Sequence, residues 1–495
     1  MHEQVHRSTL RSIARVKKFS ALGATLVALG CQGELTPTET IAQVEGFVQP
    51  SPNIDPRRSL AITDQPILAN FTLQRVFDQL VATSGLTGMS SLALFQQWWD
   101  TQNPGSGLGQ GPHCDDVIEG GQSTLNGYPY TCRATPSEGG HASCNPFSDP
   151  NSACAYIPVG LFMRFDLAPE SGKHCGEYRI VFAKASGRTS SSDRNLLIFE
   201  AALRNPHYNQ GIRGCEKIVR AFADLSNESS LNVRRTKLEQ FYFNGYQEFD
   251  PVVHFSNFGD NAYGVGQIRT NQFVQPTSPR IWSLREYKLK TVCVGASCSG
   301  RFVPVTNKVN PFGPLFDANS NWSTAAGFRS DFLTQIPRLA STSLDGIGMN
   351  NSDLFNTGQS QANGTTESNY VTNFGTGPNA FRSAIQSALD SIPSTLTPDD
   401  VVARAQAMSC AGCHRLSNNQ NLGGGLTWPA SLGFTHVSER DVDLEVVGGV
   451  TRYQISPALI ANFLPHRKQI AEDFLNDVPR PAHPPDDPIG GRWTD

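Results

Sequence analysis

Neither sign of charge dominates this 495-residue chain: 40 Lys and Arg stand against 44 Asp and Glu, a net charge of −4. No basic stripe with interleaved aromatics occurs, which removes the electrostatic footprint of a nucleic-acid-binding protein. Beyond residue 31 no apolar run approaches the roughly 20 residues a transmembrane helix needs, so any membrane attachment has to come from the extreme N-terminus. Residues 59 to 340 contain no Walker loop, no Gly-x-Ser-x-Gly elbow and no His-Glu-x-x-His, and the chemistries those motifs announce have no support there. Methionine is scarce: Met1, Met89, Met163, Met349 and Met408 are all there are, and none follows residue 408. Cysteine stops at Cys413.

The composition, 38% hydrophobic and 17% charged residues, suits a folded soluble body of two to four domains. At the N-terminus Arg7, Arg11, Arg15, Lys17 and Lys18 precede a short apolar run from Ala21 to Gly30, the arrangement of an export signal. The run ends in Ala28-Leu29-Gly30-Cys31, which resembles the lipobox of bacterial lipoproteins with Ala28 and Leu29 exchanged. The resemblance implies lipidation of Cys31, removal of residues 1–30, and residence as an exported protein at the periplasmic face or surface, with Gln32 resembling outer-membrane sorting in a Gram-negative bacterium. Residues 31–58, rich in Thr, Pro and Glu at their start, then read as a flexible tether.

Eleven cysteines is an odd number for an exported chain. Setting aside Cys31 for lipid and the pair Cys410 and Cys413 leaves Cys114, Cys132, Cys144, Cys154, Cys175, Cys215, Cys293 and Cys298, enough for four disulfides in an oxidising compartment. Eight cysteines permit about 105 connectivities; the sequence singles out only Cys293 with Cys298, across a short loop.

The stretch that names a chemistry is Met408-Ser409-Cys410-Ala411-Gly412-Cys413-His414. Two thiols three residues apart, followed at once by an imidazole, is the spacing that attaches a haem c covalently: each thiol forms a thioether and His414 supplies the proximal iron ligand. A zinc site would need two more ligands, and no thiol follows His414. The rival that remains is a simple Cys410–Cys413 disulfide.

Periodicity predicts helices over 71–81 and 92–99, then a Gly-, Pro-, Ser- and Cys-dense loop region over 103–155 that relies on cross-links. Short β-branched and aromatic runs predict strands at 156–167, 177–184 and 195–200, helices follow at 214–224 and 231–243, and strands return at 266–274, 281–290 and 301–305. Embedded in these strands are Arg164, Asp166, Glu177 and Arg179, expected as a buried ion-pair network between adjacent strands in preference to a catalytic carboxylate pair. The fold class is therefore α+β, with a disulfide-stabilised mixed domain over 59–344. An Asn/Ser/Gly-rich stretch over 345–378 reads as a linker. Helices are predicted over 380–392, from Thr397-Pro398-Asp399-Asp400 into Cys410, and from Ser456 through Leu475, followed by a Pro-rich tail over 478–495.

Residues 379–477, with one helix leading into the attachment motif and another closing the segment, resemble the small class I type of cytochrome c domain, a monohaem unit. In that family a downstream methionine is the usual sixth ligand, and this chain has none. The resemblance with this departure implies His436 as the distal ligand, in Leu432-Gly433-Phe434-Thr435-His436, or else His466 beside Arg467 and Lys468, or an open iron. The function expected is single-electron transfer by a lipid-anchored haem protein with an unidentified redox partner protein. Two others stay in view: a haem-dependent oxidoreductase or sensor with an open iron, and a disulfide-stabilised surface binding lipoprotein without haem.

Overall fold

One antiparallel sheet organises the molecule, and its strands follow one another in chain order. The computed structural model describes residues 52–105, 108–109, 111–134, 137–274 and 280–478; Cys31, the export signal, most of the tether and nearly all of the Pro-rich tail lie outside the described residues. The sheet comprises β1 (Ala61–Ile62), β2 (Tyr156–Arg164), β3 (His174–Lys184), β4 (Asn195–Arg204), β5 (Gln267–Val274), β6 (Ile281–Val294) and β7 (Ser297–Val305), each paired with the next, and β8 (Ser360–Ala362) beside the start of β6. Short connections join β2 to β3, β3 to β4, β5 to β6 and β6 to β7, as antiparallel neighbours allow, while long helix-bearing segments separate β1 from β2 and β4 from β5. The strands run longer than their hydrophobic runs suggest because both faces are covered, which tolerates polar residues that a solvated face would not mark.

The two faces differ in chemistry. Register pairs Tyr178 with Ala201 and Phe182 with Leu197, so alternate residues of β3 and β4 build an apolar face. It packs under α1 (Leu73–Thr83) and α2 (Ser91–Asp100), capped by the Thr72 and Ser90 side chains. Trp98 stacks on Phe302 at 4.5 Å, and Phe77 meets Phe199 edge-on at 6.0 Å. Truncating aromatic rings buried in this way typically costs about 3–5 kcal/mol each.

The other face carries Arg164, Glu177, Arg179, Glu200, Arg269 and Glu286, all buried and ion-paired. Arg179 binds Glu177 at 2.8 Å and Glu200 at 3.2 Å, while Arg269 binds Glu200 at 3.3 Å and Glu286 at 3.1 Å. Arg164 grips Asp166 through three contacts of 2.9–3.1 Å. The four expected residues are buried and paired, Arg164 with Asp166 and Arg179 with Glu177, each two residues along the chain; the links between adjacent strands come from Glu200, Arg269 and Glu286, which carry the network over four strands. Charges taken out of water this completely persist only when paired.

All eight cysteines set aside for disulfides are paired: Cys114–Cys132, Cys144–Cys154, Cys175–Cys215 and Cys293–Cys298. The first two lie in the loop region over 103–155, which has little regular structure to hold it. Cys175–Cys215 ties the start of β3 to α3 (Glu216–Leu225).

The C-terminal portion differs from the expected layout. Residues 379–477, expected as a separate mainly α domain, pack on the charged sheet face, and the described residues belong to one compact unit. The reason is a shared core: Val401, Val402, Met408, Leu459 and Phe474 are buried in the same cluster as Phe162, Val181 and Phe199. The expected linker over 345–378 contributes β8 and buries Met349, Phe355 and Tyr370. Order also begins before Ser59, since Ile54 is buried and its backbone N–H donates to Glu472. A helix the sequence reading missed, α4 (Ala325–Leu339), precedes α5 (Ala380–Asp390), α6 (Pro398–Met408) and α7 (Leu464–Leu475). Among the described residues no helix is long and apolar enough to cross a membrane.

Candidate functional site

Helix α6 delivers the Cys-x-x-Cys-His motif into the interior. A capping box between Thr397 and Asp400, with Pro398 in the first turn, starts the helix where the sequence predicts. Almost every residue of α6 is buried, and the chain continues into a wide helical turn over Gly412–Leu416. Gly412 is required there, because a Cβ would collide with the Gln406 carbonyl. Ser360 of β8 accepts a hydrogen bond from the Ala411 N–H at 2.9 Å, so the stretch expected as linker braces the motif.

Both motif cysteines are buried and neither is in a disulfide. Cys410 lies in a small apolar cluster with Trp282, Leu284, Ala362 and Ala411. Burial pushes its thiol up to about 12, with Arg269 opposing the shift, so it stays protonated and poorly nucleophilic. Cys413 Sγ lies 3.4 Å from His436 Nε2.

His414 and His436 are brought together, their ring centroids 4.7 Å apart at 63°. Each is anchored through Nδ1. His414 Nδ1 lies 3.0 Å from the Phe434 carbonyl oxygen, and His436 Nδ1 lies 2.8 Å from Ser456 Oγ. An imidazole whose Nδ1–H is tied to a carbonyl presents Nε2 as its ligating nitrogen, the arrangement metal-binding histidines commonly use. Trp282 stacks on the His414 ring at 5.1 Å and 27°. Its indole N–H donates to Asn271 Oδ1 at 2.6 Å, and Asn271 Nδ2 donates to the same Phe434 carbonyl at 3.1 Å. Trp282, Asn271, Phe434 and His414 thus close a ring of contacts.

The loop bearing Phe434 and His436 is clamped from the sheet. Arg194, at the entry to β4, makes two 2.7 Å hydrogen bonds to Glu439 and also donates to the Gly433 carbonyl and to Thr435. Ser431 Oγ donates to the His414 carbonyl at 2.6 Å. Sequence reasoning missed Arg194, Asn271, Trp282, Ser360, Glu439 and Ser456. They are remote in the chain from the motif, and only the fold converts them into neighbours. His466 stands apart, paired with Asp345 at 3.1 Å and partly exposed.

His414 and His436 open on a small cavity of about 40 Å³. Phe162, Val181, Leu196 and Ile198 floor it from the sheet, Val437 and Leu459 cover it, and Arg179, Asn271 and Arg467 complete the lining. The side-chain types are those an iron porphyrin of the c type takes, two thiols and two Nδ1-anchored imidazoles, but only the imidazoles line the cavity; Cys410 sits in the Trp282 cluster and Cys413 beside His436. A macrocycle would have both to part His414 from His436, whose ring centroids are 4.7 Å apart, and to widen the cavity well beyond its about 40 Å³. Among the described residues one grouping of metal-ligand type, Cys114, Asp115 and Cys132, is no metal site because both its thiols are spent in a disulfide.

Compared with known proteins, the chain matches no family model, no curated protein and no solved structure.

Proposed function

We propose that this chain is an exported, lipid-anchored c-type haem protein that carries single electrons on one covalently bound haem. The observation that carries the reading is that His414 of the Cys410-x-x-Cys413-His414 motif and a second imidazole, His436, remote in sequence, line one apolar cavity with their rings in contact. In this reading Cys410 and Cys413 hold the macrocycle by thioethers, and His414 and His436 ligate its iron. The bound group supplies a one-electron couple, and two nitrogen ligands in place of a thioether favour a lower potential than His/Met ligation gives. The chain's own residues do the rest. Phe434 and Asn271 fix the His414 tautomer, Ser456 fixes His436, and the apolar lining keeps water from the site, which restrains the solvent reorganisation that electron transfer entails.

The export and lipid assignments rest on the N-terminal sequence alone, and the redox partner protein is set by neither sequence nor fold. An open-iron oxidoreductase or sensor remains the first alternative, because the His414–His436 contact has to part and need not re-form around iron. A second reading has its own observation: Cys413 Sγ, His436 Nε2 and Ser456 Oγ form a chain of contacts of 3.4 and 2.8 Å, the order of nucleophile, base and orienting group in thiol catalysis. Burial of Cys413 weighs against it. A binding lipoprotein without haem is the third.

A pyridine haemochrome spectrum and a denaturing haem stain, on full chain produced with a c-type maturation system, decide between them. Covalent haem that disappears in Cys410→Ala with Cys413→Ala supports the proposal. Its absence from the unaltered chain overturns it and leaves the thiol and binding readings.

A further inference from the structure

Beyond the loop that bears His436, the chain forms a two-stranded ribbon, β9 (Leu444–Val447) and β10 (Val450–Tyr453), turned at Gly448 and Gly449, both at positive φ. Its root is fixed to the body. Leu444 packs on the core and Tyr453 is buried. Glu445 pairs with Arg57 at 3.5 Å, Arg452 with Asp64 at 2.7 Å, and Asp441, just before the ribbon, with Arg188 at 2.9 Å. The tip is different. Val446 and Val447 point to opposite faces of the ribbon, yet they are 71% and 50% exposed, and Val442 is 75% exposed; a strand pair wet on both faces projects from the molecule. Residues 446–451, Val-Val-Gly-Gly-Val-Thr, carry no charge. Single exposed valines are ordinary on a protein surface, but three on one uncharged projection offer a partner only apolar area.

What meets the tip follows from where the chain enters the body. Arg57, the partner of Glu445 at the ribbon's root, lies five residues after Pro52, where the described chain begins, so the two are at most about 17 Å apart along the backbone. On the lipoprotein reading, residues 32–51 join that point to a diacylglycerol on Cys31. A coil of that length averages about 25 Å end to end, less than the width of a body whose radius of gyration is about 22 Å. A bilayer holding the lipid therefore lies against the side of the body where the tether enters, and the ribbon is rooted on that side.

We infer that the ribbon is a membrane-contact element, Val442, Val446 and Val447 dipping into the interfacial region of a phospholipid bilayer and holding the body in one orientation. The inference rests on the lipid-anchor part of the proposed function and adds to it a second, non-covalent contact. An uncharged apolar tip makes that contact indifferent to salt and to lipid charge.

The test uses the chain from Gln32 onwards, exported behind a cleavable signal so that its disulfides form, and captured by an N-terminal histidine tag on vesicles of phosphatidylethanolamine and phosphatidylglycerol containing a nickel-chelating lipid. Amide hydrogen exchange over 442–451 should be slower on vesicles than in solution by about ten-fold, the worth of burying roughly one valine, at low and high salt alike. Val294, equally exposed on the β6–β7 hairpin at the opposite edge of the sheet from β1, should lie in a peptide that exchanges as in solution. Val446→Ser with Val447→Ser, shown by circular dichroism to be folded, should lose the protection. Exchange over 442–451 that is unchanged on vesicles overturns the inference, and so does protection that survives the double substitution or that extends equally to Val294. Protection in solution that grows with protein concentration assigns the ribbon to a second copy of the chain and also overturns it. The anchor is read separately, from the mass of Cys31 in chain expressed with its own signal: an unmodified Cys31 overturns the lipid anchor, while the exchange result still decides what the ribbon does.

Discussion

The Nδ1 of His414 lies 3.0 Å from the carbonyl oxygen of Phe434, a residue whose backbone sits at φ +76°. A bulky side chain in the left-handed region costs on the order of 1–3 kcal/mol and persists only where its surroundings hold it. Here the surroundings are identifiable: the Phe434 ring meets Phe273 edge-on at 4.8 Å and lies beneath the Arg415 guanidinium at 5.0 Å, while its carbonyl takes hydrogen bonds from both His414 and Asn271. Strain at one backbone position thus aims one carbonyl at one imidazole.

Asn271→Leu tests that arrangement. The substitution removes a donor to the Phe434 carbonyl and orphans the buried Trp282 indole N–H, which is bonded to Asn271 Oδ1 at 2.6 Å. A loss of about 2–3 kcal/mol is expected in urea denaturation. In haem-loaded protein the midpoint potential should move as well, because the hydrogen bond on Nδ1 sets the donor strength of the ligating nitrogen. An unchanged potential with reduced stability would make Asn271 a packing residue only.

The two candidate distal histidines separate cleanly. His436 shares the cavity with His414, and His466 is paired with Asp345 outside it. In haem-loaded protein, His436→Ala should turn a low-spin absorption spectrum high-spin and admit carbon monoxide, while His466→Ala should leave the spectrum as it was. A spectrum indifferent to His436→Ala removes bis-histidine ligation and favours the open-iron alternative.

Much of this was legible in the sequence, and the failures have a common cause. The strands, helices α1, α2, α5 and α6 and the attachment motif follow from local signals: β-branched runs, caps, and the spacing of Cys410, Cys413 and His414. Counting cysteines anticipated four disulfides but only the Cys293–Cys298 pairing, because the others join segments 10 to 40 residues apart. Helix α4 escaped because Pro337 lies within it, a residue that ordinarily breaks a helix. Residues 345–378 resembled a linker because their Asn, Ser and Gly residues carry no periodicity; here polar side chains are consumed by internal hydrogen bonds, such as Asn351 Nδ2 donating to Asn356 Oδ1 at 2.9 Å and Ser368 Oγ accepting from the Gln361 backbone N–H at 3.0 Å. The boundary at 379 failed for the same reason. A shared core is a long-range property, and composition does not announce it.

Stability should depend on pH through Glu367. Burial raises its carboxyl to about 7, against partial offsets from the Gln359 hydrogen bond and the Arg285 and Arg133 charges. The folded chain therefore binds more protons than the unfolded chain between about pH 4.5 and 7, and stability falls as pH rises through that window. Glu367→Gln removes the dependence. The variant should be more stable than the unaltered chain by about 2 kcal/mol at pH 8 and indistinguishable from it below pH 4.5. An equal difference at both pH values would place the effect in packing and not in ionisation.

The four disulfides should contribute unequally, in the order of the loops they close. Cys175–Cys215 spans 40 residues and Cys293–Cys298 spans 5; chain entropy assigns them about 4 and about 2 kcal/mol. Position widens the gap. Cys175 and Cys215 are fully buried where β3 meets α3, whereas Cys293–Cys298 closes the exposed end of the β6–β7 hairpin, a register already fixed by nine paired positions. Replacing both members of each pair by alanine and measuring denaturation midpoints should give a large loss for the first and a small one for the second. The two variants should also differ in reach. Losing Cys175–Cys215 frees the start of β3, two residues before Glu177, and so loosens the charge network under the cavity. A porphyrin titration of that variant should show weakened binding, while the hairpin variant binds as the unaltered chain does. Equal binding by both would mean that the network holds its geometry without the cross-link, through ion pairs buried on all sides.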